Sequence, residues 1–370
     1  MEEPRTTNSS TAGPAVPAAR HGRHMARVGF GISRVSDPAL EVRETELAVS
    51  AFHVLVEFDC PGRRPRGTVV LPPPISGVLP LIMRETVLAL LPRFRVLVPD
   101  WINPRFIPLR KGSFGLDANI AAIIGALRAA GPGAGLVALC QSGTPSVAAA
   151  AVMAAQGDPA APPVLALLGS PIDPKASPTS LSRHLAGSRA YHLQSLAITP
   201  VRHGYPGVGR LVYSADTQES VHATARFRRA FMPGWLSWTP FPDMGEIDRQ
   251  VPLSDLCGIM MDVDARHFLE NIDAVFRRRA LVTGGLFHEG VEVNPAAIRD
   301  CALLAVEGAE DRIVAPGQTA AALALCPDAD PARRRRLLAR GCNHLALFGG
   351  EQFQHHVAPP VIDWLDRWLP

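Results

Sequence analysis

The chain has no CxxC pair, no Gly-x-Ser-x-Gly box, no glycine-rich phosphate loop and no unbroken apolar run of membrane-spanning length. Without CxxC spacing, neither a zinc-finger-type ligand pair nor a thioredoxin-like redox pair is expected. Without the glycine fingerprints there is no nucleotide cradle. No run approaches the roughly 20 apolar residues a transmembrane helix needs. Charge of one sign is also scarce. A net +3 on 370 residues does not call for nucleic acid, and no basic stretch is interleaved with aromatics. The six cysteines, Cys60, Cys140, Cys257, Cys301, Cys326 and Cys342, lie far apart. A disulfide framework is not expected in so long a chain, and a reducing cytoplasm is the simplest setting.

The first 27 residues are rich in Ala, Pro, Thr, Ser and Arg. Pro14 and Pro17 interrupt the only apolar stretch, so no secretory signal is expected there. The segment 1–27 is expected to be a disordered tail, with Met25 as an alternative start.

The chain is 47% hydrophobic in composition, enough for a large core. Short apolar runs bounded by Gly or Pro predict buried strands at Ala51–Phe58, Thr68–Leu71, Phe94–Val98 (stopped by Pro99), Leu136–Leu139, Val164–Leu168, Ala302–Val306 and Arg336–Ala339. Helices are expected at Leu79–Leu91, Leu116–Ala130, Thr144–Ala155, Thr319–Leu325 and Ala358–Trp368. This alternation means an α/β fold, a mostly parallel sheet with helices on both faces. The stretch 179–293 breaks the rhythm. It holds Phe231, Trp235, Trp238, Phe241 and Phe268, with helical segments at Gln218–Phe231 and Asp264–Phe276. An inserted, mainly helical cap is expected over 179–293, between core segments 28–178 and 294–370.

The segment Gly135-Leu-Val-Ala-Leu-Cys140-Gln-Ser-Gly-Thr144 runs an apolar strand into a reactive residue and at once into an Ala-rich helix. This is the layout of a nucleophile elbow, whose tight turn needs small residues two places either side of the nucleophile. For Cys140 those are Ala138 and Ser142. For the rival nucleophile, Ser142, they are Cys140 and the β-branched Thr144, which fits worse. Cys140 leads and Ser142 stays open. A cysteine serves when an imidazole stabilises its thiolate. The N–H of Gln141 would then face an oxyanion, and the loop after an early strand, at Ser76 or Gly77, is the candidate for a second donor.

Past the late strand Ala302–Val306 comes an acidic turn. Asp311 is the expected orienting acid, with Glu310 or Glu307 as substitutes. The loop Gly341-Cys-Asn-His344 then offers His344 as general base before the final helix. One such residue alone would more often be structural. The order nucleophile, acid, base along the chain, each just past a strand, is that of the α/β-hydrolase fold.

Several spaced motifs resemble the intracellular polyhydroxybutyrate depolymerases: Asp100-Trp-Ile-Asn-Pro-Arg105-Phe-Ile-Pro108, Gly112-Ser-Phe-Gly-Leu-Asp117, Cys140-Gln141, Gly169-Ser-Pro-Ile-Asp173, Glu307-Gly-Ala-Glu-Asp311, Gly341-Cys-Asn-His344 and Phe348-Gly-Gly350. The likeness runs from about Leu47 to the C-terminus. It implies a Cys140–Asp311–His344 triad, no metal or organic cofactor, and a cytoplasmic enzyme acting on polyhydroxyalkanoate storage granules. The polymer chain and granule surface would be its partners. Where that family continues with Pro after Cys-Gln, this chain has Ser142-Gly143. Two alternatives remain: a polyhydroxyalkanoate synthase-like acyltransferase, whose box carries flanking glycines absent here, and a non-catalytic granule-associated protein.

Overall fold

The computed structural model describes residues 25–36, 39–78, 80–188, 190–220 and 260–370. Residues 1–24 of the expected tail, and Phe231, Trp235, Trp238 and Phe241, lie outside the described residues, as does most of the expected helix from Gln218. Ala26 and Arg27, placed in the tail by sequence, are bonded to the core. The Ala26 carbonyl accepts from Asn103 N–H, and the Arg27 guanidinium reaches the buried Asp100 at 2.7 Å.

Eight strands make one sheet: β1 Arg43–Val49, β2 His53–Asp59, β3 Thr68–Val70, β4 Arg95–Trp101, β5 Gly135–Leu139, β6 Val164–Leu168, β7 Ala302–Gly308 and β8 Arg334–Ala339. Their order is β8-β7-β6-β5-β3-β4-β2-β1. Only β2 runs against the rest. The main helices are α1 Arg84–Leu90, α2 Leu116–Ala130, α3 Gly143–Ala155, α4 Ser180–Gly187, α5 Ala265–Asn271 and α6 Ala358–Trp368. The strand order, the crossovers and the helices make this the α/β-hydrolase fold.

Alternate residues of the strands point to opposite faces, and each face is buried. On one side Val69, Val96, Val137, Val164 and Val306 pack against Val87 of α1 and Val361 and Leu365 of α6. On the other, Val70, Leu97, Leu136, Leu165 and Leu303 pack against α2 and α3. This double burial is why the strands read as continuous apolar runs.

Two strand expectations change. β1 was not anticipated: all seven of its residues are exposed, so it carries no apolar signal. β4 continues through Pro99 to Trp101 instead of stopping. Leu97 accepts from Leu71 N–H on the β3 side, and Pro99, two residues on, faces the same way. β3 has ended by then, so the missing N–H of Pro99 has no strand to bond. β8 begins at Arg334, two residues before the expected start at Arg336.

Between β6 and β7, the described residues of 169–301 add nothing to the main sheet. They hold α4, a small antiparallel sheet of Ile198–Pro200, Leu211–Tyr213 and Val263–Asp264, and α5, which passes into a π-helical turn at Ile272–Arg277. Phe268 packs its ring on Tyr213, centroids 4.4 Å apart. Two buried ion pairs fasten this segment to the loop after β4. Arg105 pairs with both carboxylate oxygens of Asp262 through its Nε and one Nη, and Arg210 reaches Asp264 at 2.9 Å while donating to the carbonyls of Ile107 and Pro108.

Candidate active site

The chain leaves β5 at Leu139, turns at Cys140 and enters α3 at Gly143. Cys140 has φ 50°, a left-handed conformation that side chains with a Cβ seldom adopt. Such a backbone lifts the side chain off the end of the strand. Among the five described cysteines Cys140 alone is not buried. Burial pushes the thiols of Cys301 and Cys326 up, the latter to about 12, which keeps them inert.

Ser142 lies inside the turn. Its hydroxyl accepts from Leu139 N–H at 2.9 Å and donates to the Leu139 carbonyl at 2.8 Å, and the residue is 1% exposed. A hydroxyl committed at both ends and closed to solvent does not fit the expectation of an alternative nucleophile. It locks the strand end that carries Cys140. Next to it, a Cβ at Gly143 would lie 2.3 Å from the Ser170 side chain, so only glycine lets α3 start this close to the loop after β6.

His344 is 6% exposed and sits between two partners. Its Nε2 is 3.2 Å from the Cys140 sulfur, and its Nδ1–H donates to Asp311 Oδ2 at 2.7 Å. Asp311 comes from the turn after β7. Its Oδ1 accepts from the N–H groups of Ile313 and Val314, both at 2.8 Å. The carboxylate is thus fixed by its own loop and has one oxygen left for the imidazole. Burial disfavours a charged His344. The Asp311 carboxylate and the Cys140 sulfur outweigh it and push its pKa up to about 10.

The substitute acids lie elsewhere. Glu307, fully buried, accepts through Oε1 from the N–H groups of Gly317, Thr319 and Ala320, and its Oε2 meets Arg336. It holds the loop that carries Asp311 and makes no bond to the histidine. Glu310 is exposed, and its N–H donates to the Cys342 carbonyl.

Gln141 opens the helical turn after Cys140, where backbone N–H groups lack intrahelical acceptors. Its side-chain carbonyl accepts from Asn271 Nδ2 at 3.1 Å, a contact from α5 that no sequence motif signalled. Ser76 and Gly77 follow β3, the sheet neighbour of β5, at the same strand end as Cys140. Gly77 has φ 92°, and its carbonyl accepts from Met261 N–H. Among the described residues no three His, Cys, Asp or Glu side chains group as a metal site, and no helix is long and apolar enough to cross a membrane.

Three solved structures illustrate the structural likeness. An esterase from Thermogutta terrifontis is 16% identical, with 89% of this chain and 100% of that one covered and a TM-score of 0.45. The esterase domain of a Rhodothermus marinus protein is 16% identical, with 90% and 100% covered and a TM-score of 0.46. A hydrolase from Pseudomonas aeruginosa is 16% identical, with 87% and 98% covered and a TM-score of 0.47. No protein of curated function matches the sequence. The family described as PHB de-polymerase C-terminus matches residues 169–368, a stretch that contains Asp311 and His344, with Cys140 upstream of it. With more than half of its length matched, the chain belongs to the polyhydroxybutyrate depolymerase family, ester hydrolases on the α/β-hydrolase fold.

Proposed function

We propose that this protein hydrolyses the ester bonds of polyhydroxyalkanoate held in cytoplasmic granules, with Cys140 as nucleophile, His344 as general acid and base, and Asp311 as its orienting partner. The observation that carries the reading is the unbroken contact from sulfur to imidazole to carboxylate, 3.2 Å and then 2.7 Å. The family supplies the substrate class. The segment 179–293 is read as a cap over the core formed by 28–178 and 294–370.

His344 Nε2, in contact with the sulfur, takes the proton of the Cys140 thiol. The thiolate attacks the ester carbonyl. The N–H of Gln141, with the Ser76–Gly77 loop, stabilises the oxyanion. As the tetrahedral intermediate collapses, the alcohol end leaves with the proton of His344 Nε2. The resulting thioester carries no charge on sulfur, so one of the influences that held the ring protonated is gone. The neutral imidazole then takes a proton from water, which cleaves the thioester and frees the acid. Asp311 keeps the Nδ1–H tautomer throughout.

The test is release of hydroxyacid from amorphous polyhydroxybutyrate granules by wild type, Cys140→Ala and Ser142→Ala. Cys140→Ala is expected to release none. Ser142→Ala is expected to keep part of the activity, because it loosens the elbow without removing the nucleophile. Acid release by Cys140→Ala at the wild-type rate would overturn the nucleophile. A wild type that cleaves small esters but leaves granules intact would overturn the polymer substrate.

A further inference from the structure

We infer that Asn271 is a positioning residue that sets the Gln141 peptide for oxyanion stabilisation, so that the segment inserted between β6 and β7 completes the elbow. The inference rests on Cys140 being the nucleophile.

Asn271 is 4% exposed, and its Nδ2 donates to Gln141 Oε1 across 130 residues of sequence. The Gln141 side chain branches from the residue whose N–H is the proposed oxyanion donor. Tethering its far end restrains rotation of the Cys140–Gln141 peptide plane. The Cys140 carbonyl of that plane also accepts from Gly143 N–H, and the plane follows a residue strained at φ 50°.

The helix that presents Asn271 is itself braced. At its start, Asp264 accepts from Arg266 N–H with one carboxylate oxygen and from Arg210 with the other. One turn before Asn271, the buried His267 lies 3.2 Å from Asn119 Nδ2 of α2. Positions four apart share a helix face, so His267 and Asn271 address the core together. Glu270 accepts from Leu116 N–H at 2.8 Å. Immediately after Asn271 the helix widens into the π-helical turn, a departure from regular geometry that often marks functional positions. Contacts to Arg210, Asn119, Leu116 and Gln141 thus converge on a helix that ends on the elbow.

The experiment compares wild type, Asn271→Leu, Gln141→Met and the double variant. It measures kcat and KM on a short-chain p-nitrophenyl ester and the rate of Cys140 alkylation by iodoacetamide. Alkylation needs the thiolate but forms no oxyanion, so it separates the two requirements. Each single variant is expected to lose about 10- to 100-fold in kcat. KM and the alkylation rate should change little. The double variant should be no slower than the worse single variant. Asn271→Asp should keep most of the activity, because the Gln141 amide can turn and donate to the carboxylate. The inference is overturned if kcat is unchanged, if alkylation slows in step with kcat, or if the two losses multiply. Should Asn271→Leu fail to fold, Gln141→Met and Asn271→Asp read the same contact. A wild type that cleaves no ester at all would instead strike at the nucleophile assignment.

Discussion

At His344 two opposing influences act on one ring. Burial favours the neutral imidazole, whereas the Asp311 carboxylate and the Cys140 sulfur favour the cation and win, pushing the pKa up to about 10. Asp311→Asn removes the larger of the two favourable partners. The His344 resonance, followed by NMR through a pH titration, should then titrate at lower pH. The kcat for ester cleavage should fall by about 10³- to 10⁴-fold, the scale of losing the orienting acid in such triads. An unchanged titration would mean that Asp311 is not what holds the ring charged. The same shift makes a statement about stability. A histidine raised in the folded state contributes stability that is complete below its unfolded value near 6.5 and is lost as pH rises through about 10. The stability advantage of wild type over His344→Gln, from urea midpoints, should therefore shrink between those two pH values. An advantage that grows over that window would contradict the assignment.

Among the strands, helices and loops, the strand–turn–helix around Cys140 was legible because the geometry is written in residue size: an apolar run, Ala138, a small Ser142, then helix formers. The placing of Asp311 and His344 in the turns after β7 and β8 was legible too, and the two side chains meet at 2.7 Å. What the sequence did not show is how the loops are held. Glu307 read as a substitute acid because a carboxylate near a strand end can play that part. Its three backbone donors come from ten to thirteen residues downstream, and no local pattern signals such an arc. β1 was invisible for the opposite reason, since an edge strand with every side chain in solvent has no apolar period. Glu307→Ala would leave those three N–H groups without their acceptor. A loss of about 3 kcal/mol or more is expected from urea unfolding, with kcat falling as the Asp311 loop loosens. Arg336→Met should cost less, about 1 kcal/mol or below, because its side chain is 48% exposed and solvent screens the pair. Equal losses would show that the ion pair, and not the backbone donors, secures the loop.

For the molecule as a whole, the question is what joins the inserted segment to the sheet. The Asp100–Pro108 motif carried much of the family likeness, yet none of its residues belongs to the sulfur–imidazole–carboxylate chain. Its Arg105 and the carbonyls of Ile107 and Pro108 instead receive the insert through Asp262 and Arg210. The four charged side chains are all buried, between 2% and 6% exposed. Their desolvation is unfavourable, so their net worth lies in geometry more than in stability. Breaking one pair is a different matter, because it strands a charge. Arg105→Met leaves Asp262 buried with the Ala215 N–H as its remaining donor. It is expected to lower stability by about 3 to 5 kcal/mol. Replacing both partners, Arg105→Met with Asp262→Leu, removes the stranded charge and should recover much of that loss. If the pair serves only to hold the fold, the double variant should also recover ester hydrolysis. If it sets where α5 meets Gln141, stability should return while kcat stays low. Urea unfolding and kcat on one short ester, measured on the same three proteins, separate the two.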